Sequence, residues 1–135
     1  MANIPYYEQK DIENIKKLRE MMKEPPPFCT EFFRGIEPRT STRTRIAYAY
    51  DLSVFFDFLK KENPVFSKME LMDFTLDHLD QITVTDLEEY MEYLKYRFND
   101  HNQEITNKER GIMRKISSLK SFYNYFFRTE KLKTN

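Results

Sequence analysis

The apolar side chains between residues 106 and 129 recur with the period of an α-helix. They fall at Ile112, Ile116, Leu119, Tyr123 and Phe126. Spacings of three and four residues place such side chains on one face of a helix. A stripe of this length is stable in water only when it packs on other elements. The segment therefore predicts a long amphipathic helix that covers one side of a hydrophobic core.

Glycine is scarce in this sequence. Its 135 residues include only two glycines, Gly35 and Gly111. The tight turns of β-rich folds depend on glycine, so its scarcity favours helices. The length is sufficient for one core without disulfides or metals. We therefore predict an all-α domain of four main helices, joined by short loops.

A second long helix is predicted over about residues 42–62. Ser41 is a suitable N-cap, with Thr42 as the alternative. Asn63 precedes Pro64, and a residue before proline avoids the helical region, so the helix should end there. The following segment, 65–82, has no long period and predicts one or two short helical turns.

A third helix should begin at Thr83, with Asp86 completing a capping box. Its predicted apolar stripe comprises Leu87, Tyr90, Met91, Leu94 and Phe98. A polar loop is expected at residues 99–103.

The N-terminal region is interpreted as a separate part. A thin apolar stripe predicts a short helix at about residues 8–23, and three consecutive prolines, Pro25 to Pro27, should end it. Residues 24–39 are predicted to be a linker. We therefore divide the chain into an N-terminal helix with a proline-rich lead-in, residues 1–38, and a main domain, residues 39–135.

Charge is separated into blocks although the net charge is zero. Residues 34–50 carry four basic and one acidic side chain, and residues 106–135 carry eight basic and two acidic ones. Residues 51–105 carry five basic and thirteen acidic side chains. Taken alone, the zero net charge argues against a nucleic-acid binder, whereas the asymmetry predicts a two-sided molecule.

The sequence offers little that could carry catalysis. The two histidines, His78 and His101, have no cysteine or histidine at metal-ligand spacing. The lone cysteine, Cys29, has no evident local base and is interpreted as an inert thiol. No glycine-rich phosphate loop, signal peptide or membrane span is found. We expect no catalytic residue, metal, cofactor, small-molecule substrate or membrane contact, and a cytoplasmic location.

Two basic elements are candidates for binding a polyanion. Arg43, Thr44 and Arg45 lie at the start of the second helix, where free backbone N–H groups attract phosphate. On the long helix predicted at residues 106–129, which is the fourth in chain order, polar residues recur opposite the apolar stripe, with Lys115 on its flank; they are Arg110, Arg114, Ser117, Ser118, Ser121 and Arg128. The alternatives are simple helix capping and an ordinary solvated basic face.

Three segments resemble motifs of the tyrosine recombinases, the phage integrase family. Residues 44–59 resemble the pattern T-x-x-x-Y-x-x-D-L-x-x-F-x-x-F-L, and residues 83–94 resemble T-x-x-D-(L/I)-x-x-Y-x-x-x-L. Residues 114–126 are similar to R-x-(L/I)-S-x-L-(R/K)-x-F-Y-x-(Y/F)-(L/F). The whole stretch, about residues 39–135, looks like the N-terminal core-binding domain, and it looks most like that of single-recombinase Xer proteins. A mobile-element integrase is the other interpretation of these motifs.

The resemblance implies a SAM-like orthogonal bundle that grips one face of a double-stranded DNA half-site. The family's catalytic residues belong to a separate domain, and none of their motifs is found here. The implied DNA contacts are Arg43, Thr44, Arg45, Ala47, Arg110, Arg114, Lys115 and Ser118. Other recombinase subunits, forming a tetramer on DNA, are the expected protein partners. The alternative function is a helical protein-interaction module in which residues 8–23 dock on a neighbouring subunit.

Overall fold

The fold was obtained as a computed structural model, which describes residues 5–99 and 101–129. Those residues form six α-helices and one two-stranded antiparallel hairpin, so the all-α prediction is confirmed. The helices are α1 (Tyr6–Met21), α2 (Phe28–Ile36), α3 (Thr42–Glu62), α4 (Leu76–Asp80), α5 (Val84–Lys95) and α6 (Glu109–Arg128). The strands are β1 (Arg97–Phe98) and β2 (Glu104–Ile105), and short 3-10 turns lie at Glu37–Arg39, Phe66–Lys68 and Leu71–Asp73.

The core is an aromatic cluster shared by α2, α3 and α6. Phe122 and Phe126 of α6 are 0% exposed, and Phe32 of α2 and Phe56 of α3 are 1% exposed. The rings of Phe32 and Phe122 meet edge to face at a centroid separation of 5.1 Å. Such pairs add about 0.5–1.5 kcal/mol each to the hydrophobic gain from burial. The predicted apolar stripe of α6 thus lies against the core.

Helix α3 has the predicted bounds because a side chain caps its start and the chain turns away at Asn63, before Pro64. Ser41 Oγ accepts a hydrogen bond from the backbone N–H of Thr44 at 3.1 Å, which satisfies one free donor of the first turn. At the other end, Asn63 Oδ1 accepts from the backbone N–H of Val65 at 3.0 Å. The cap at Ser41 and the stop at Asn63 are therefore confirmed.

The predicted capping box of α5 is present. The backbone N–H of Asp86 donates to Thr83 Oγ1, and the backbone N–H of Thr83 donates to Asp86 Oδ2. The prediction for Phe98 is wrong, because the helix ends at Lys95 and Phe98 lies in β1 with 47% of its surface exposed. The loop predicted at residues 99–103 falls between the two strands; Asn99 and residues 101–103 are described, and position 100 lies outside the described residues.

The linker predicted at residues 24–39 is wrong, since α2 occupies its middle. Cys29, Phe32, Phe33 and Ile36 of α2 are all buried in the same core as α3 and α6. The three prolines precede this helix, and the last of them, Pro27, is its N-cap. Burial of an apolar face therefore outweighs the local signal of a proline-rich segment.

Helix α1 packs along α3. None of the residues of α1 is fully buried, although Leu18, near its end, and Met22, which follows it, pack partly against the core. Its polar side chains also reach α3: Thr42 Oγ1 donates to Asp11 Oδ1 at 2.7 Å, and Asn14 Nδ2 donates to Thr42 Oγ1 at 3.3 Å. The C-terminal part of the apolar stripe of α1 is thus covered within its own chain, whereas Ile12, nearer the start of the helix, is 42% exposed.

Candidate functional site

Helices α3 and α6 meet at the buried carboxylate of Asp51. Arg114 Nη1 donates to Asp51 Oδ2 at 2.9 Å, and Ser118 Oγ donates to the same oxygen at 2.6 Å. Lys115 Nζ lies 3.5 Å from Asp51 Oδ1. Positions 114 and 118 are one helical turn apart, so one face of α6 supplies both hydrogen bonds. We call this group, Asp51, Arg114, Lys115 and Ser118, the Asp51 cluster.

The two helices run in the same general direction past this cluster. Asp51 contacts Ser118, and further along both helices Phe56 contacts Phe122 at a ring-centroid distance of 6.3 Å. The N-terminal parts of α3 and α6 therefore both lie on the same side of the Asp51 cluster. The Asp51 cluster thus joins the two helices that carry the basic elements, which are far apart in the sequence.

The exposed residues on this side form the surface of interest. Thr44 and Ala47 precede Asp51 by two turns and one turn of α3, and Arg110 precedes Arg114 by one turn of α6. Apart from Asp51, the residues just named are exposed, and so is Arg43. The side chain of Arg114 is 52% exposed even though it contacts Asp51. We call Arg43, Thr44, Ala47, Arg110 and Arg114 the basic surface.

The cations of the basic surface differ in how they are paired. Neither Arg43 nor Arg110 has an ion-pair partner within residues 5–99 and 101–129. Arg114 is paired with Asp51, so the acidic block that begins at Asp51 neutralises part of the charge. Because the cluster sets two cations against one carboxylate, it keeps a net positive charge.

Arg45 does not lie on the basic surface. It is buried, with 7% of its surface exposed, and its Nη1 donates to the carbonyl oxygens of Glu37 and Thr40 and to Thr40 Oγ1. The expectation of an exposed Arg45 is wrong because the chain before α3 presents carbonyl oxygens that the guanidinium satisfies. Arg45 thus fixes the approach of the chain to α3.

Lys115 and Ser118 are also buried, with 3% and 5% of their surfaces exposed. The prediction that they face outward is wrong, since α6 turns both residues towards Asp51. Burial lowers the pKa of the Lys115 ammonium, and the attraction of Asp51 partly opposes this shift. The ammonium also lies 5.1 Å from the ring centroid of Tyr50, a cation–π contact.

The hydroxyl groups at the start of α3 are used within the chain. Ser41 Oγ donates to Thr44 Oγ1 at 3.0 Å, and Thr40 Oγ1 donates to the carbonyl of Ile36 at 2.6 Å. Thr42 is held by side chains of α1. The helix N-terminus is thus less open to phosphate than predicted, and the exposed arginine in the first turn of α3 is Arg43.

Two carboxylates with structural roles were missed by sequence reasoning. Asp11 holds the start of α3 through Thr42, and Asp51 joins α3 to α6. Asp51 does stand at the aspartate of the first motif, which was the one available signal. Their partners lie in distant segments, so no local pattern could assign these contacts.

Other chemistry finds little support among the described residues. They hold no group of three or more His, Cys, Asp or Glu side chains placed to bind a metal ion. Cys29 is 1% exposed, and burial raises the pKa of its thiol, so it stays protonated and unreactive. None of the helices in residues 5–99 and 101–129 is long and apolar enough to span a membrane.

Comparisons with known proteins agree with the motifs. No protein-family model matches the chain, and no solved structure matches it. The chain is 34% identical over 116 residues, or 79% of its length, to the tyrosine recombinase XerC of Caldanaerobacter subterraneus subsp. tengcongensis. It is 27% identical over 125 residues, or 84% of its length, to the tyrosine recombinase XerS of Lactococcus lactis subsp. cremoris.

These matches cover 31% and 32% of the two relatives, so the chain spans about a third of the length of the curated relatives it matches. They confirm the resemblance drawn from the three motifs. By sequence, this chain is homologous to part of the Xer tyrosine recombinases and is related to that family.

Proposed function

We propose that this chain is the DNA-binding part of a site-specific tyrosine recombinase, and that it grips one face of a double-stranded half-site. The contact surface is the basic surface of α3 and α6. Arg43, Arg110 and Arg114 contact phosphates, whereas Thr44 and Ala47 lie close to the duplex. Ala47 has only a methyl group, so the helix backbone can approach closely at that point.

The observation that carries this proposal is the meeting of α3 and α6 at Asp51. It sets arginines from two distant segments on the same side of one helix contact. Two separate cationic elements on a rigid support fix the orientation of a duplex better than one flexible basic segment does, because phosphate contacts set register and orientation. The charge of the acidic residues that follow Asp51 then disfavours DNA elsewhere on the molecule.

Strand cleavage and rejoining belong, in this proposal, to another part of the recombinase. The buried Tyr90 and the half-buried Tyr123 are poor nucleophiles, since burial raises the pKa values of their hydroxyl groups and holds them protonated. Assembly with other recombinase subunits on DNA, expected from the family resemblance, stays a prediction.

The interaction-module alternative keeps only part of its support. It depended on the apolar stripe of α1 being free for a neighbouring subunit, but Leu18 and Met22 pack against the chain's own core, which leaves Ile12 as the exposed member of the stripe. A DNA-binding role accounts for the placement of Arg43 and Arg110, which the alternative leaves unexplained.

Salt dependence of DNA binding tests the proposal. The probe is a fluorescein-labelled duplex of arbitrary sequence, because phosphate contacts supply the sequence-independent part of binding. Fluorescence anisotropy gives the association constant over a series of salt concentrations. Each of Arg43→Gln and Arg110→Gln should reduce the magnitude of the log–log salt slope by about 0.9, the value for one lost phosphate contact on B-DNA.

Lys120→Gln is the matched control for these variants. Lys120 is an exposed cation of the same helix as Arg110, but it lines the apolar groove between α5 and α6. The substitution changes the net charge by the same amount at a different face, so it should leave the slope unchanged. Equal effects of all three substitutions would mean that binding responds only to total charge and would refute the assigned surface.

A further inference from the structure

The Asp51 cluster contains two cations, although one is enough to neutralise the charge of its carboxylate. Arg114 and Ser118 both bind Oδ2 of Asp51, whereas Lys115 faces Oδ1. Asp51 Oδ1 has no hydrogen-bond partner in the described part of the chain, so the contact with Lys115 at 3.5 Å is mainly electrostatic. The two cations thus occupy different oxygens and do not compete for one position.

The two cations also differ in their access to solvent. The side chain of Lys115 is 3% exposed and that of Asp51 is 1% exposed, whereas that of Arg114 is 52% exposed. Lys115 is further held by the ring of Tyr50. Of the two cations, Arg114 can therefore turn outward towards a ligand, and Lys115 must stay inside.

The effect of moving Arg114 depends on what remains beside Asp51. A buried carboxylate without a cation is strongly unfavourable, because it has lost water and gained no partner. With Lys115 in place, Asp51 keeps one cation, and it also keeps the hydrogen bond from Ser118. Without Lys115, Arg114 would be the one cation left in the cluster and would be held there.

We propose that Lys115 is an internal counter-ion for Asp51, a positioning residue that leaves the guanidinium of Arg114 available to bind a DNA phosphate. The inference rests on the proposed function. It assigns to Lys115 a role in DNA binding although the side chain does not reach DNA. Asp51 positions the side chain of Arg114 next to the basic surface. Lys115 lowers the free energy needed to break the ion pair between Arg114 and Asp51.

A double-mutant comparison tests this role with the same labelled duplex and the same salt series. In the natural sequence, Arg114→Gln should reduce the magnitude of the slope by about 0.9. In a Lys115→Met background, Arg114→Gln should change the slope little, because Arg114 already stays with Asp51. Urea denaturation of each variant checks folding; Lys115→Met retains the ion pair between Asp51 and Arg114 and is expected to fold.

Neutralising Asp51 provides the rescue. In an Asp51→Asn, Lys115→Met background no buried charge remains in the cluster, so Arg114 is free again. There Arg114→Gln should once more reduce the slope by about 0.9. A purely structural role for Lys115 would alter stability without this loss and return of the Arg114 effect.

The outcomes separate this inference from the proposed function. If Arg114→Gln changes the slope equally in the natural sequence and in the Lys115→Met background, Lys115 has no influence on Arg114 and the inference is overturned. No effect of Arg114→Gln in the natural sequence also overturns it, while losses for Arg43→Gln and Arg110→Gln would still support DNA binding by the basic surface. Absence of salt-dependent duplex binding by the natural protein overturns both.

Discussion

Substitution of Gly35 by alanine tests the docking of α2 on α6, the feature of the fold that sequence patterns missed. A Cβ at Gly35 would lie 2.5 Å from both Cζ and Oη of Tyr125, whereas ordinary contacts of a Cβ lie at 3.4–4 Å. The ring of Tyr125 must therefore move by about 1 Å to restore van der Waals contact. It packs edge to face on Phe32 and Phe126, at centroid distances of 5.6 and 5.0 Å, so the movement disturbs both contacts.

The expected loss of stability is the balance of two opposing effects. Overpacking costs about 1–3 kcal/mol, and the two disturbed aromatic contacts place this case at about 2–3 kcal/mol. Alanine in place of glycine returns up to about 1 kcal/mol of helix propensity. We expect Gly35→Ala to lower the free energy of unfolding by about 1–2 kcal/mol. Urea denaturation followed by circular dichroism measures this as a lower midpoint at an unchanged m value.

A Tyr125→Leu background is the control, because it removes the part of the ring that meets the new Cβ. There Gly35→Ala should be neutral or stabilising by up to about 1 kcal/mol, since only the helix-propensity gain remains. A higher midpoint for Gly35→Ala in the natural sequence, or the same effect in both backgrounds, would show that the contact with Tyr125 does not control the outcome.

Three further predictions concern single residues. Ser41→Ala should destabilise the protein by about 1 kcal/mol through loss of the α3 cap, measurable as a shift of the urea midpoint, and a Ser41→Gly variant should lose less. Arg45→Gln should lower stability by about 1–3 kcal/mol, because carbonyls of the preceding turn lose a charged donor, yet leave the salt slope of DNA binding unchanged; a changed slope would place Arg45 on the DNA. Cys29 should resist a thiol-specific disulfide reagent at mildly alkaline pH until urea unfolds the chain, because burial raises the pKa of its thiol; rapid labelling of the folded protein would contradict its burial.

Helices that carry their own signals could be predicted without any knowledge of neighbouring segments. Ser41 and Asn63 mark the ends of α3, and Thr83 with Asp86 marks the start of α5, because capping groups act within one turn of the chain. The stripe of α6 likewise follows from its own spacing. All of these features are local, which is why the structure confirms them.

Packing between distant segments, by contrast, settled which elements belong to the core. Helix α2 has weak local signals after three prolines, but Phe32 is buried against α6, and this packing outweighs the local preference. Local spacing could not show that α6 presents Lys115 and Ser118 to a carboxylate on α3. The helical period locates the edge between the buried and exposed faces only to within one residue. Contact with a single buried partner then determines on which face a residue at that edge lies.

The same distinction applies to the candidate site. Residue type and position identified Arg43, Arg110 and Arg114 as surface cations, and all three are exposed. The same reasoning assigned three buried residues to that surface. The guanidinium of Arg45 binds the carbonyl of Thr40, and the side chains of Lys115 and Ser118 contact the carboxylate of Asp51. Residue type and period thus determine which groups are able to bind a polyanion. Tertiary contacts determine which of these groups are already bonded within the chain. A buried charge or carbonyl forms a hydrogen bond or an ion pair with a nearby side chain because water is excluded.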